Sequence, residues 1–335
     1  MRPVLENPRE MWCRWTRPPA RCARLASSLP GPSRPEGWPD LVVRAINRRD
    51  VLCSTLALLS CPAFAQTAPF AALTDYERDS GGYIGLYAKN LRTGSEVTWR
   101  AHERFVMCSS FKASLAACVL TQVDRGKARL DESIAFGPAD LMEWAPVATQ
   151  NVKKGAMSVA DMCAAAVEFS DNTCANALLA RFGGPSALTA FWRSIGDTVS
   201  RLDHNEPQLN RTPLGDPHDT TTPAAMAGNL RTLILGKALS PASRERLTGW
   251  MLGCKTGDNR LRAGLPKNWR VGDKTGNNAK DAFGDIAVTW STRAEPIVVC
   301  AYTRGGAPTP GQVDKVFAEI GRFVGLHFDE RASTN

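Results

Sequence analysis

Two apolar segments near the carboxyl end of the chain decide the fold. Residues 283–303 read FGDIAVTWSTRAEPIVVCAYT, and a polar stretch separates the two segments. Apolar runs of this length, bounded by turn residues, predict strands at residues 283–291 and 297–303. Residues 269–272, which come shortly before them, are predicted to form another strand.

Strands are also predicted much earlier in the chain. Residues 82–89 alternate in side-chain character, and residues 96–100 are the expected hairpin partner, with Thr93 and Gly94 in the turn. A sheet built from all of these segments must unite the two ends of the chain.

The middle of the chain is helical in pattern. Ser158, with Asp161 three residues later, is a plausible helix N-cap. Helices are predicted at residues 109–125, 158–169, 172–181, 185–195, 222–235, 240–252 and 311–326. Strands and helices segregated in this way indicate an α+β fold rather than alternating βαβ units.

This pattern predicts one domain over residues 66–335. We expect an α/β lobe, with an antiparallel sheet flanked by helices, at about 66–107 and about 255–335. An all-helical lobe would occupy about 108–254, with the active site in the cleft between the lobes.

Composition and charge narrow the classes of function. The chain has 335 residues, of which 43% are hydrophobic, enough for a sizeable core. Its formal net charge is +8, but residues 1–65 hold ten Arg and five acidic residues, so the remainder carries only +3. Without a basic stripe of interleaved aromatic residues, this charge argues against a nucleic-acid partner. The four histidines form no close-spaced cluster, so neither a metal nor another cofactor is expected.

The amino-terminal region has the pattern of an export signal. The pair Arg48-Arg49 precedes the apolar residues 51–59 and the small-x-small sequence Ala63-Phe64-Ala65. We predict that residues 1–65 are an extension and signal peptide removed after Ala65, which leaves a periplasmic or secreted protein with no membrane span. The paired arginines leave both twin-arginine and general secretory export open.

Six cysteines follow residue 65. They are Cys108, Cys118, Cys163, Cys174, Cys254 and Cys300. An oxidising compartment permits disulfides, and this number in so large a chain indicates one bridge rather than a disulfide scaffold. None forms a C-x-x-C pair, which argues against a zinc cluster.

The first candidate for chemistry is Ser109-Ser110-Phe111-Lys112, at the start of a predicted helix. A spacing of three residues puts the Ser109 hydroxyl and the Lys112 amine on one helix face. Because serine is a poor nucleophile until a neighbour takes its proton, a buried lysine with a lowered pKa is a suitable partner.

Two further polar motifs lie where helices and strands end. Ser170-Asp171-Asn172 stands at a break between two predicted helices, where a second hydroxyl is able to pass a proton to a leaving nitrogen. Lys274-Thr275-Gly276 follows a predicted strand, where a cation and a hydroxyl suit a substrate carboxylate and glycine admits a ligand close to the backbone. Each motif alone is equally compatible with a helix cap or a turn.

The three motifs together resemble the set shared by class A β-lactamases and penicillin-binding proteins. They stand in the order Ser-x-x-Lys, Ser-Asp-Asn, Lys-Thr-Gly, with spacings of about sixty and about one hundred residues. The resemblance extends from about Phe70 to the carboxyl end. It implies that Ser109 is an acylated nucleophile.

A fourth motif separates the two groups of proteins. Glu206-Pro207-Gln208-Leu209-Asn210, in the polar stretch 201–222, resembles the Ω-loop of class A β-lactamases. An acyl-serine ester hydrolyses slowly unless a general base lies one water away, and in that family the glutamate and asparagine hold this water. The resemblance thus implies hydrolysis of the β-lactam ring through an acyl-enzyme on Ser109, deacylated by a Glu206-activated water, and resistance to β-lactam antibiotics.

The resemblance also assigns the other site residues. The catalytic residues implied are Ser109, Lys112, Ser170, Glu206 and Lys274, and the substrate-binding residues are Asn172, Asn210, Thr275, Gly276, Asn277, Trp144 and Arg260. The backbone N–H groups of Ser109 and Asn277 would form an oxyanion hole. Whether Lys112 or Glu206 takes the Ser109 proton stays open.

Two positions depart from the family pattern. Phe283 stands where many members carry an arginine that supports the substrate carboxylate, and Arg260 matches the upstream arginine that other members use. His204 stands where an Ω-loop arginine usually pairs with the aspartate matching Asp219. Since histidine is only partly charged near neutral pH, we expect a looser and more pH-sensitive loop.

The cysteines also depart from the family. Carbapenem-hydrolysing relatives bridge the cysteine matching Cys108 to a position that is Asn278 here. Cys163 matches one end of a common class A disulfide, but its usual partner position is Ala116. Cys118 lies on a different helix face, so the pairing and carbapenem hydrolysis both stay open.

The alternatives are a penicillin-binding D,D-peptidase, which acts on cell-wall peptides, and a non-catalytic module that binds them. Glu206 with Asn210 argues against the first, and the full set of nucleophilic groups argues against the second. A Ser-His-Asp hydrolase lacks its G-x-S-x-G motif here. We expect a monomer whose partner is a small-molecule β-lactam.

Overall fold

The computed structural model describes residues 68–330. The predicted extension and signal peptide, with cleavage after Ala65, lie outside the described residues. Five strands form the main sheet: β1 (Tyr83–Asn90), β2 (Glu96–Trp99), β7 (Arg270–Asn277), β8 (Phe283–Trp290) and β9 (Pro296–Arg304). Their order is β2-β1-β9-β8-β7, and each neighbouring pair is antiparallel. The prediction of an α+β fold whose sheet unites both ends of the chain is confirmed.

Strands β8 and β9 are mostly apolar because both of their faces are covered. Ile286 and Val288 point into the core shared with the central helices. Ala287 and Val299 point into a second core on the other face of the sheet. A strand buried on both faces reads as a continuous apolar run, which explains residues 297–302.

The second core is closed by three helices. They are α1 (Ala68–Ser80), α9 (Leu261–Gly264) and the long carboxyl-terminal α10 (Pro310–Glu330). Helix α1 was not predicted, since only a narrow stripe of it, including Leu73 and Tyr76, is buried against the sheet.

Helix α2 (Phe111–Asp124) lies at the centre of the other core. Its residues from Phe111 to Thr121 are all buried, as expected for a helix surrounded by others. The surrounding helices are α3 (Pro146–Asn151), α4 (Val159–Glu168), α5 (Asn172–Arg181), α6 (Gly184–Ser194), α7 (Pro223–Leu230) and α8 (Pro241–Leu252). Two small ribbons complete the fold, β3 (Phe105–Val106) with β6 (Thr220–Thr221) and β4 (Ser133–Ala135) with β5 (Ala156–Ser158).

Several boundaries differ from the predicted ones. The helix predicted at 222–235 is α7 followed by a π-helical turn, Arg231–Leu235. The strand predicted to end at residue 272 continues to Asn277, so the Lys-Thr-Gly motif lies inside β7. The Ser158 cap is confirmed, since its hydroxyl accepts a hydrogen bond from the Asp161 backbone N–H.

The expected disulfide is not formed among the described residues. All six cysteines after residue 65 are buried with free thiols. They occupy core positions as small apolar side chains, and burial raises the pKa of the Cys108 and Cys163 thiols well above the usual range. The expectation of one bridge, which came from the number of cysteines with the pairing left open, is therefore not met among these six residues.

Candidate active site

The predicted nucleophile lies in a strained turn in front of the central helix. Residues Cys108–Ser110 form a 3-10 helix that leads directly into α2. Cys108 has a φ of +45°, a left-handed conformation that costs a residue other than glycine about 1–2 kcal/mol. The turn brings Ser109 Oγ to 2.8 Å from Lys112 Nζ, the contact predicted from their spacing.

The amino group of Lys112 is fully buried among oxygen atoms. It lies 2.8 Å from Ser109 Oγ, 2.9 Å from the Ser170 carbonyl oxygen and 3.2 Å from Glu206 Oε1, and it also donates to Asn172 Oδ1. Burial lowers the pKa of Lys112, and the Glu206 carboxylate opposes that shift. The Ser109 hydroxyl in turn donates to Glu206 Oε1 at 3.3 Å, so both candidate bases contact the nucleophile.

Ser170 stands at the break between α4 and α5, with a φ of +61°. The fully buried Asp171 holds this break in place. Its carboxylate accepts hydrogen bonds from one backbone N–H of α5 and two of α3, each at 2.9 Å, and so caps both helices. Ser170 Oγ is thereby held 3.1 Å from Lys274 Nζ, which donates to it.

The Lys-Thr-Gly motif lies on β7, the edge strand beside the nucleophile. Burial lowers the pKa of Lys274 to about 8, and the nearby positive charge of Lys112 acts in the same direction. A Cβ atom on Gly276 would lie 2.7 Å from the Met107 carbonyl oxygen and 3.0 Å from the Ser109 backbone nitrogen. Glycine is required here because any side chain would push the strand away from the nucleophile turn.

Glu206 lies on a loop, and polar side chains hold it there. Asn176, on α5, donates to the Glu206 carbonyl oxygen and accepts from the Glu206 backbone N–H, both at 3.0 Å. Asn210 donates to Glu206 Oε2 at 2.6 Å. The Asn210 Oδ1 atom is buried and has no hydrogen-bond partner among residues 68–330.

The base of this loop is organised around the fully buried Asp219. Its carboxylate accepts hydrogen bonds from the backbone N–H groups of Asp203 and His204 and from the Thr212 hydroxyl. His204 Nδ1 lies 2.6 Å from Asp219 Oδ2, and this hydrogen bond raises the pKa of His204. The two side chains are therefore paired in this structure, whereas the expected looseness of the loop stays a prediction.

One aromatic and one cationic candidate residue lie at the edges of the site. Trp144 is 56% exposed and donates to the Phe169 carbonyl oxygen at 3.1 Å, immediately before Ser170. Arg260 is buried and donates to the carbonyl oxygens of Gly276 and Gly284, at 3.0 and 2.6 Å. The Arg260 guanidinium thus braces the strand end that carries Gly276.

Asn277 is the last residue of β7 and pairs in register with Phe283. The Arg260 guanidinium also packs over the ring of Phe283, 5.8 Å from its centroid. Phe283, which stands where the sequence comparison expected an arginine, therefore contacts an arginine from elsewhere in the chain. All twelve predicted site residues therefore lie on the elements that meet around Ser109 and on the rim of that region.

Two polar residues of this region were missed from the sequence. Asn176 lies four residues after Asn172 on the same helix, a spacing that places both on one face. Thr256, whose Oγ1 lies 2.5 Å from Thr275 Oγ1, follows α8 and belongs to no motif. Helix periodicity was a usable sequence signal for Asn176, whereas the sequence carries no signal that points to Thr256.

Within the described part of the chain, no group of three or more His, Cys, Asp or Glu side chains is arranged to hold a metal ion. Nor does any helix between residues 68 and 330 combine the length and the apolar character needed to cross a membrane.

Comparison with known proteins places the chain in a family. The model of the β-lactamase enzyme family matches residues 68–328. Beta-lactamase L2 of Stenotrophomonas maltophilia is 44% identical over 303 residues, covering 90% of this chain and 94% of the relative. The carbapenem-hydrolyzing beta-lactamase KPC of Klebsiella oxytoca is 44% identical over 282 residues, covering 80% and 95%.

Solved structures agree with these sequence matches. An ancestral class A β-lactamase is 53% identical with a TM-score of 0.74, covering 76% of this chain and 98% of that one. A β-lactamase from Xanthomonas campestris is 44% identical with the same TM-score, covering 77% and 96%. With a matching fold, a matching family model and the motif residues gathered around one serine, the chain belongs to the class A β-lactamases, the enzymes that hydrolyse β-lactam antibiotics and confer resistance to them.

Proposed function

We propose that this enzyme opens the β-lactam ring through an acyl-enzyme on Ser109 and that a water activated by Glu206 releases the product. The observation that carries this proposal is the position of one hydroxyl between two bases. Ser109 Oγ lies 2.8 Å from Lys112 Nζ and 3.3 Å from Glu206 Oε1. A general base within hydrogen-bond reach is what converts a serine into a nucleophile.

In the acylation step, Ser109 Oγ attacks the β-lactam carbonyl carbon and its proton passes to Lys112 or Glu206. The backbone N–H groups of Ser109 and Asn277 stabilise the negative charge that develops on the carbonyl oxygen. As the carbon–nitrogen bond breaks, Ser170 gives its hydroxyl proton to the ring nitrogen. The hydrogen bond from Lys274 Nζ to Ser170 Oγ supports this proton transfer. The proton that left Ser109 then replaces the proton that the Ser170 hydroxyl gave up.

In the deacylation step, a water attacks the ester carbonyl carbon and gives its proton to Glu206. The ester carbon–oxygen bond then breaks, and Ser109 regains a proton. The carboxylate of Glu206 and the unpartnered Oδ1 of Asn210 are the acceptors available to hold such a water. The buried carboxylate lies beside the nucleophile, with Glu206 Oε1 3.3 Å from Ser109 Oγ.

Substrate binding is assigned to the residues around this centre. Lys274 and Thr275 bind the substrate carboxylate, with Arg260 supporting them through the Gly276 carbonyl oxygen. Asn172, beside Lys112, and Trp144, at the rim, contact the rest of the substrate. We further propose that the mature protein is a monomer exported by means of the amino-terminal pattern ending at Ala65.

The D,D-peptidase alternative is not favoured. Such an enzyme lacks a base that hydrolyses its β-lactam adduct and stays acylated by the antibiotic, whereas here Glu206 and Asn210 are held together 2.6 Å apart beside the nucleophile. Since KPC is named for carbapenem hydrolysis and is 44% identical, carbapenems are the substrates to test beside penicillins.

The test is mass spectrometry of the protein mixed with benzylpenicillin, comparing wild type with Glu206→Ala. We expect wild type to return to its free mass, whereas the variant keeps an adduct on Ser109. Loss of a general base slows its step by about a hundredfold to ten-thousandfold. Glu245→Ala, which removes an exposed carboxylate on α8, is the matched control and should behave as wild type. A stable adduct on the wild-type protein would contradict the proposal.

A further inference from the structure

The carboxylate-binding hydroxyl of Thr275 has a partner outside every motif. Thr256 Oγ1 lies 2.5 Å from Thr275 Oγ1, and the Cys254 sulfur lies 3.4 Å behind Thr256 Oγ1. Cys254 is buried, and Thr256 is partly buried on the segment between α8 and α9. Three side chains therefore form one line that ends at the residue proposed to bind the substrate carboxylate.

The hydrogens along this line have a preferred order. Each threonine hydroxyl has one hydrogen to donate, and two oxygens 2.5 Å apart share a single hydrogen between them. Thioether and thiol sulfur are weak acceptors, so the Thr256 hydrogen is better placed on the Thr275 oxygen than on the Cys254 sulfur. The Thr275 oxygen then accepts, and its own hydrogen is left for another acceptor.

We propose that Thr256 is a positioning residue that orients the Thr275 hydroxyl so that its hydrogen points at the carboxylate of the substrate. Thr256 itself need not touch the substrate. A hydroxyl that already accepts a hydrogen bond is a better donor, because chains of hydrogen bonds polarise one another. This inference rests on the proposed role of Thr275 in binding the carboxylate.

A merely structural role for Thr256 makes a different prediction. Loss of packing would disturb β7 as a whole, because the neighbouring Gly257 lies against the buried Asp273 carboxylate. Lys274 and Gly276 would then move together, and every substrate would be affected alike. The positioning role instead affects only substrates that carry the carboxylate.

The experiment compares Thr256→Val, which keeps the shape and removes the hydroxyl, with Thr256→Ser, which keeps the hydroxyl. Each is assayed with benzylpenicillin and with its methyl ester. We expect Thr256→Val to lower kcat/KM for benzylpenicillin by about tenfold, which is the effect of one hydrogen bond. The kcat/KM for the methyl ester should change by less than about twofold. Thr256→Ser should retain the wild-type ratio of the two substrates.

A double-mutant cycle with Thr275→Val sharpens the test. If Thr256 acts through the Thr275 hydroxyl, Thr256→Val has no further effect once that hydroxyl is gone. Equal losses on both substrates, or additive losses in the double variant, would overturn the inference. If wild type itself fails to turn over benzylpenicillin, the proposed function fails instead, so the two failures are distinguishable.

Discussion

The two halves of the active site are held by different means. The residues proposed for acylation are Ser109, Lys112, Ser170 and Lys274. These residues lie at the start of α2, at the α4–α5 break and within β7, all of which pack against the two apolar cores. The residues proposed for deacylation are Glu206 and Asn210, on a loop that depends on side-chain hydrogen bonds to Asn176 and around Asp219.

In the proposed mechanism, the two chemical steps therefore depend on parts of the molecule that are stabilised separately. Regular elements share their stability with the whole core, whereas a loop held by a few polar contacts opens at a lower free energy. If Lys112 is the base in acylation, changes at the base of the loop slow deacylation and leave acylation nearly intact; if Glu206 is that base, they slow both steps. The reverse should hold for changes at the α4–α5 break.

The largest expected effect comes from a matched pair of fully buried aspartates, Asp171 and Asp219. Asp171→Ala removes the cap of two helices beside Ser170, and Asp219→Ala removes the acceptor at the base of the loop. Each leaves buried donors unsatisfied, at about 1–3 kcal/mol for each donor. We expect Asp171→Ala to slow acylation and Asp219→Ala to slow deacylation, each by about tenfold to a hundredfold.

Pre-steady-state kinetics with a chromogenic cephalosporin separates the two rates. The rate of the initial burst reports acylation, and the steady-state rate that follows reports deacylation. The asparagine variants of both positions are the controls, since they keep the shape and part of the hydrogen bonding. If Asp171→Ala and Asp219→Ala slow the same step, the two halves are not independent and the comparison fails.

The next effect concerns the charge of Lys274, whose pKa is lowered to about 8 by burial. Below that pH the side chain is a cation and attracts the substrate carboxylate, and above it the charge is lost. We expect kcat/KM for benzylpenicillin to fall above about pH 8, approaching tenfold per pH unit, and to fall less for its methyl ester.

Lys274→Arg distinguishes this group from Lys112, whose pKa is also lowered by burial. Arginine stays protonated throughout the range, so the alkaline fall should move to higher pH in this variant. A pH profile of Lys274→Arg that matches wild type would assign the alkaline limb to another group.

Prediction from the sequence succeeded where a motif coincides with a regular element. The contact between Ser109 and Lys112 follows from helix geometry, and the break that presents Ser170 follows from two adjacent helix patterns. The sheet was recognised because strand runs such as residues 283–291 are apolar and bounded by turns. The roles of the site residues stay predictions.

Contacts between distant segments were not readable in this way. The pairing of Thr256 with Thr275, and the place of the Arg260 guanidinium behind Gly276, depend on how β7 packs against the segment after α8. The free state of the cysteines depends on their packing in the core, which composition does not reveal. Helix α1 was missed because its buried stripe is narrow.

The smallest expected effect is the pH dependence of the loop that carries Glu206. The hydrogen bond to Asp219 raises the pKa of His204 above its usual 6.5, although the His204 side chain is about half exposed. A raised pKa means that the folded loop favours protonated His204. That stabilisation is fully present below pH 6.5 and is lost as the pH rises through the raised pKa. The other ionisable groups near this pair are Arg201, Asp203, Asp216 and His218.

Amide hydrogen exchange of residues 201–222, corrected for intrinsic rates, and the deacylation rate between pH 5.5 and 8 would measure this effect. Protection and deacylation should both decrease modestly as the pH rises, while the acylation rate does not follow them. His204→Arg should flatten both profiles, because arginine keeps its charge across this range. Flat profiles in the wild-type enzyme would show that the stability of the loop does not depend on the charge of His204. The position of Glu206 would then depend on its hydrogen bonds to Asn176 and on the hydrogen bonds that Asp219 accepts from backbone N–H groups and Thr212.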